Sequence, residues 1–253
     1  MNYVLITGAS AGIGEVFAKQ LAQKGNNLIL TARRKDKLDA LAQQLSSLYN
    51  IKVETLVADL ATPQGASEIQ RKADKAGWNI NGLINNAGFG DRGSFTELSL
   101  ERQLQMIQLN VTSLVDLTHR LLPNIEQQQK SFIINVASTA AFQAGPNMAI
   151  YYATKAFVLS FSEALHEELK NKGIAVSALC PGPTASEFAS EANLTDSKLF
   201  KAGAMTPEAV VKKSLQKKDQ AIVITGCKNI FTVWSAKLSP RSVNRKLAGW
   251  LQA

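Results

Sequence analysis

Tyr3-Val4-Leu5-Ile6-Thr7-Gly8-Ala9-Ser10-Ala11-Gly12-Ile13-Gly14 is the stretch on which the fold turns. A short apolar run suited to a strand enters a glycine turn, and a helical pattern follows from Ile13 to Lys24. Glycine admits positive φ and lets the backbone approach a ligand closely. The helix start beyond it offers unpaired N–H groups and the positive end of a dipole, a setting that suits a pyrophosphate. The spacing here is G-x-x-x-G-x-G, not the G-x-G-x-x-G of the standard dinucleotide fingerprint. A plain tight turn is the competing reading, and the strand–turn–helix context disfavours it.

Working outward, the same alternation continues. Strand-like runs follow at Asn27–Ala32, Lys52–Ala58, Ile80–Asn85, Ser131–Val136, Ala175–Leu179 and Ala221–Thr225, with helix-like segments between them, notably Lys35–Leu48 and Ala149–Lys172. Several runs are unbroken Val, Ile and Leu, the signature of strands buried on both faces. Strand–helix order of this kind predicts a single-domain α/β fold: a Rossmann-like, doubly wound parallel sheet in three α/β/α layers. No Pro-, Gly- or Ser-rich linker divides residues 1–253, and no internal repeat is present. Residues 183–206 lack clear periodicity. They follow a late strand's carboxyl end, where a long loop lies over the ligand crevice, and are read as a substrate-covering loop.

Composition narrows the function classes. The 253 residues are 45% hydrophobic and 19% charged, which argues against disorder, collagen or a disulfide scaffold. No run of 18 uncharged apolar residues exists, so a spanning helix is not expected. Cys180 and Cys227 are far apart and no signal peptide opens the chain, which reads as a reducing, cytoplasmic setting without a disulfide. The formal charge of +8 is unevenly placed. Residues 1–197 carry 17 Lys+Arg and 18 Asp+Glu, whereas residues 198–253 carry 11 Lys+Arg against Glu208 and Asp219. A neutral body with a basic tail does not match a nucleic-acid enzyme, whose basic stripe would lie over its working face.

Further motifs make the chain resemble the short-chain dehydrogenase/reductase family in its single-domain, NADP-preferring form, over residues 1 to about 225. Asn85-Asn86-Ala87-Gly88 is similar to the family's N-N-A-G turn after the fourth strand. Asp59 stands at the end of the third strand, where the family places an acid against the adenine. Asn110, Ser138, Tyr151 and Lys155 have the order and spacing of its catalytic tetrad, and Pro181-Gly182 with Thr184 resembles the segment closing over the nicotinamide. The resemblance implies cofactor contacts at Gly8, Ser10, Gly12, Ile13, Gly14, Asp59, Leu60, Asn86, Ala87, Gly88, Tyr151, Lys155, Pro181, Gly182 and Thr184. It also implies a homo-oligomer, dimer or tetramer, paired through helices flanking the active site.

Residue chemistry fills in the roles. NAD-binding relatives carry an acid after the second strand, whereas Thr31-Ala32-Arg33-Arg34 has none. Arg33 and Arg34 suit a 2′-phosphate as a fork, or form a solvated basic start to the next helix; the missing acid favours NADP(H). Tyr151 and Lys155 are four apart on a predicted helix and share a face. A nearby ammonium lowers a phenol's pKa and fits Tyr151 for proton transfer to a carbonyl oxygen. Ser138 is expected to hold that oxygen. By resemblance, Asn110 holds a water linking Lys155 to a proton relay. Tyr152 lies about 100° around the helix from Tyr151 and is read as packing.

His119 and His166 have no partners at metal spacing, Cys180 is read as buried packing, and Asp36 and Asp39 as a solvated helix face; no metal site is expected. Phe188, Leu194, Leu199, Phe200 and Met205 are expected to line a pocket for an apolar ketone or aldehyde. The function expected is hydride transfer between NADP(H) and a carbonyl or alcohol; a nucleotide-sensing or scaffold protein of the same fold is the alternative. In the basic tail, residues 227–253, Leu247, Trp250 and Leu251 give an apolar face beside Arg245 and Lys246. That tail suits an anionic membrane surface, a cover for the substrate pocket, a subunit contact or packing on the parent domain, and the sequence leaves these open.

Overall fold

Strand β1 (Asn2–Thr7) points Val4 and Ile6 into one apolar cluster and Tyr3 and Leu5 into another. A strand apolar on both sides requires a helical layer on each. The computed structural model, which describes residues 1–194, 196–201 and 203–252, meets that requirement. β1, β2 (Asn27–Ala32), β3 (Val53–Val57), β4 (Asn79–Asn85), β5 (Phe132–Val136), β6 (Ala175–Cys180) and β7 (Ile222–Ile224) form one parallel sheet in the order β3-β2-β1-β4-β5-β6-β7. The strand order reverses between β1 and β4, and ligands of open α/β sheets bind in the crevice at that switch point.

The first layer is α1 (Gly12–Gln23) and α2 (Lys35–Tyr49), joined late in the chain by α9 (Pro207–Gln216). It buries Phe17, Leu38 and Val211 against the Val4–Ile6 face. The second is α3 (Gly65–Ala76), α5 (Ser113–Glu126) and the long α6 (Ala149–Lys170), with Ile69, Leu117 and Leu169 against the opposite face. α4 (Leu100–Ile107) runs into α5 through one wider, π-type turn at Gln108–Thr112. The strands expected from sequence are all present, with ends that differ by a residue or so.

A buried polar chain fixes β4, β5 and the two helices above them. The Asn85 amide donates to Thr118 Oγ1 at 2.9 Å and to Asn135 Oδ1 at 2.8 Å. Asn135 in turn donates to Ser162 Oγ at 2.9 Å. Thr118 and Ser162 pass their protons to the Leu114 and Val158 carbonyls, so each group in the chain is satisfied. α6 is thereby held in register over the strand ends.

One expectation needs correction. Residues 183–206 are not featureless: they carry α7 (Glu187–Glu191) and α8 (Lys198–Lys201), helices too short for periodicity to reveal. A Thr184–Met205 bridge, with Ala185 N–H donating to Met205 O at 3.0 Å, pinches the segment at its base. The basic tail forms two helices, α10 (Cys227–Leu238) and α11 (Arg241–Gln252), broken at Pro240, which lacks an N–H.

Candidate active site

At the switch point, two turns are stitched to each other. Thr7 Oγ1 accepts from the Asn86 and Ala87 N–H groups, each at 2.9 Å, and the Asn86 amide donates to Thr7 O at 2.9 Å and Gly8 O at 3.2 Å. Gly8 and Gly12 have φ of +63° and +56°, a region that L side chains rarely adopt. Gly14 is needed for space: a Cβ there would lie 2.3 Å from Gly8 O and 2.5 Å from Asn86 Nδ2. Ala11 precedes α1 without a capping side chain, so the first N–H groups of the helix are left for a ligand. These residues fit a dinucleotide's pyrophosphate.

The turns open on a cleft of about 590 Å³. Gly8, Ser10, Gly12 and Ile13 line it, as do Asp59, Leu60, Asn86, Ala87 and Gly88. So do Pro181, Gly182 and Thr184 on the far side. Gly14 and Asn110 were expected at this surface and lie behind it. Gly14 packs against the Gly8 carbonyl, and Asn110 is 1% exposed. Asp59 does not end β3 but follows it by two residues, where its carboxylate accepts from Ala61 N–H at 2.9 Å.

Ser138, Tyr151 and Lys155 meet on one wall of the cleft. Ser138 follows β5 and its Oγ accepts from Ala140 N–H at 3.1 Å, starting a short 3-10 turn. The Tyr151 side chain shares that wall with Ser138. Burial pushes its pKa well above 10, and the Ser138 contact pulls weakly the other way. Lys155 donates to Val136 O at 2.8 Å; burial lowers its pKa to about 8. Asn110 sits in the π-type turn, donating to Phe89 O at 2.9 Å and accepting from Phe89 N–H at 3.1 Å. Its Oδ1 and Lys155 Nζ converge on Gly88, at 2.9 Å and 3.6 Å from the position a Cβ would take there. Tyr152 turns away, its ring filling the space beside Gly145, although it still reaches the cleft edge.

The rim differs from expectation. Phe188, Leu194 and Phe200 line the cleft; Met205 instead lies against Gly226 and Asn229, and the Leu199 side chain is outside the described residues. The Phe188 ring is 5.5 Å from that of Tyr151. Arg33 and Arg34 do not form a fork. Arg33 is exposed, whereas Arg34 is held by Ser10 Oγ at 3.1 Å and by the Glu187 carboxylate at 2.9 Å. Glu187 had no signal in the sequence, because it is 153 residues from Arg34. The tail helices border the cleft through Thr232, Val233, Ala236, Ala248 and Leu251. Leu251 therefore points inward while Leu247 and Trp250 remain outside. Among the described residues, no cluster of His, Cys, Asp or Glu is suited to a metal.

A family model described as short chain dehydrogenase matches residues 2–197. The chain belongs to the short chain dehydrogenase family. That family is one of oxidoreductases. The chain is 33% identical over 201 residues to hydroxysteroid dehydrogenase-like protein 1 of Gallus gallus, covering 79% of this chain and 60% of that protein. Very-long-chain 3-oxoacyl-CoA reductase of Bos taurus is 32% identical over 219 residues, with 85% and 68% covered. The chain thus spans only about three fifths to two thirds of these relatives. A solved short-chain dehydrogenase from Sphingobium yanoikuyae in complex with NADPH superposes with a TM-score of 0.81 at 34% identity, over 94% of both chains.

The buried lysine of this dehydrogenase leaves a pH signature. Between about 8 and its ordinary 10.5, the unfolded chain binds a proton at Lys155 that the folded chain does not. Stability from this group therefore rises with pH across that window. Urea unfolding should show wild type gaining on Lys155→Met between about pH 8 and pH 10. A pH-independent difference would contradict the burial of a titrating Lys155.

Proposed function

We propose that the chain transfers hydride between NADP(H) and a carbonyl or alcohol, with an apolar, bulky ketone or aldehyde as substrate. The observation that carries this reading is the meeting of Ser138, Tyr151 and Lys155 on one cleft wall, with Lys155 one helical turn from Tyr151 on α6. The bound nicotinamide supplies or accepts the hydride. Tyr151 gives its proton to the carbonyl oxygen as the oxygen gains negative charge, and takes one back in the reverse direction. Its raised pKa keeps the phenol protonated and ready to donate. Ser138 holds the same oxygen. Lys155, when charged, attracts the developing phenolate and lowers its pKa. Asn110 sits beside Lys155 at Gly88 and supports the proton's path to solvent.

Preference for NADP(H) is supported by Arg33, Arg34 and Lys37, and by the absence of an acid on the strand end itself. The apolar substrate is supported by Phe188, Leu194 and Phe200 on the rim. Relatives named for very-long-chain 3-oxoacyl and hydroxysteroid chemistry agree with it. A homo-oligomer is supported by Leu100, Leu104 and Ile107, an exposed apolar stripe on α4 beside the active site.

The tail gives a second element of this reading, a peripheral place on an anionic membrane on the cytoplasmic side. Phe231 is 76% exposed, Leu238 82%, and Trp234 and Trp250 58% each. Residues 227–253 carry five basic side chains and no acid. Aromatic groups with bases suit a lipid headgroup layer. Pairing of two such faces would bring like charges together. No helix among the described residues is long and apolar enough to cross a membrane.

Turnover should be measured as NADPH oxidation against aldehydes, cyclic ketones and 3-oxoacyl thioesters. Tyr151→Phe should lower kcat/KM by about 10²–10⁴, whereas Tyr152→Phe should stay near wild type. Activity surviving in the first variant would refute the assignment. In co-sedimentation, wild type should bind phosphatidylglycerol vesicles and release with salt, and a Trp234→Ser, Trp250→Ser double variant should bind several-fold less. Equal binding by both removes the membrane contact.

A further inference from the structure

Glu187 sits in the first turn of α7, in the segment over the cleft. Its carboxylate contacts Arg34 Nη1 at 2.9 Å and Lys37 Nζ at 3.0 Å. Arg34 also donates to Ser10 Oγ from Nε at 3.2 Å and from Nη2 at 3.1 Å, so Ser10, on the glycine turn, joins the same cluster. Hydrogen bonds from Lys37 and then Arg34 hold the Glu187 carboxyl below its ordinary range. An internal anion thus occupies the basic groups that a ribose phosphate would need. The next residue, Phe188, packs on Tyr151. Two adjacent side chains of one short helix therefore engage the basic cluster and the reacting wall.

We propose that Glu187 is a removable internal anion: the 2′-phosphate of a phosphorylated dinucleotide displaces it from Arg34 and Lys37, and α7, with Phe188, is released from Tyr151. This rests on the NADP(H) reading. It assigns Glu187 as a specificity-determining residue that competes with the phosphate. All three partners are 40–47% exposed, so the two ion pairs are weak enough to be exchanged for a dianion. Arg33, exposed and without an ion pair among the described residues, is free to join the phosphate afterwards.

The test uses the full chain and two fragments, 2′,5′-ADP and 5′-AMP, measured by titration calorimetry. In Glu187→Gln, which keeps the size and removes the charge, 2′,5′-ADP should bind about three- to tenfold tighter as the competing pairs are lost. Binding of 5′-AMP should stay within about twofold, since it carries no 2′-phosphate. Saturating 2′,5′-ADP should also speed chymotryptic cleavage after Phe188 in wild type, and Glu187→Gln should be cleaved at that faster rate without nucleotide. Unchanged or weaker 2′,5′-ADP binding in the variant would overturn the proposal, as would equal tightening of both fragments. Wild type binding the two fragments equally would overturn the NADP(H) reading, and the proposal with it.

Discussion

The hydrogen bonds between Asn86 and the Thr7–Gly8 backbone are the constraint on which the rest of the site depends. They join the turns after β1 and β4, the two strands between which the strand order reverses. Gly14 has no room for a side chain because that seam is so close. The seam aims the start of α1 at the cleft and sets Gly88 beside Asn110 and Lys155. The Asn85–Asn135–Ser162 chain below it fixes α6, and with it Tyr151 and Lys155, relative to the same turns. Anion site and proton-transfer wall are thus two ends of one polar scaffold, not independent pockets.

Electrostatics then divide the labour. The wall is dry, and burial drives Tyr151 and Lys155 toward their neutral forms. The other end of the cleft is wet and cationic, and there a carboxylate is held as an ion. A dinucleotide spans both environments, presenting phosphates to the wet end and an uncharged or singly charged ring to the dry one. The inner surfaces of α10 and α11 close the cleft, with Lys228 at its edge, while Phe231, Trp234, Leu238 and Trp250 stay exposed.

Much of this was legible in the sequence because it rests on local patterns. Unbroken Val/Ile/Leu runs give parallel strands, and Tyr151 and Lys155 share a face through helical spacing alone. What escaped depends on contacts between distant residues. Nothing near Glu187 signals that it faces Arg34, and the sequence suggested a fork where the structure pairs one arginine with an acid. The π-type turn at Asn110 costs a helix only one extra residue, which leaves no periodic trace. α7 and α8 are shorter than two helical turns, below what periodicity resolves. In the tail, spacing revealed apolar faces but not which side of each helix would be covered.

The central claim is that the seam between the β1 and β4 turns presents the dinucleotide to Tyr151 across one cleft. Backbone hydrogen exchange of the full chain with and without saturating NADPH tests it most directly. The account predicts protection at residues 8–14, 86–88 and 181–184, with α6 around Tyr151 protected as well. Protection confined to other surfaces, or none at the glycine turn, would contradict it.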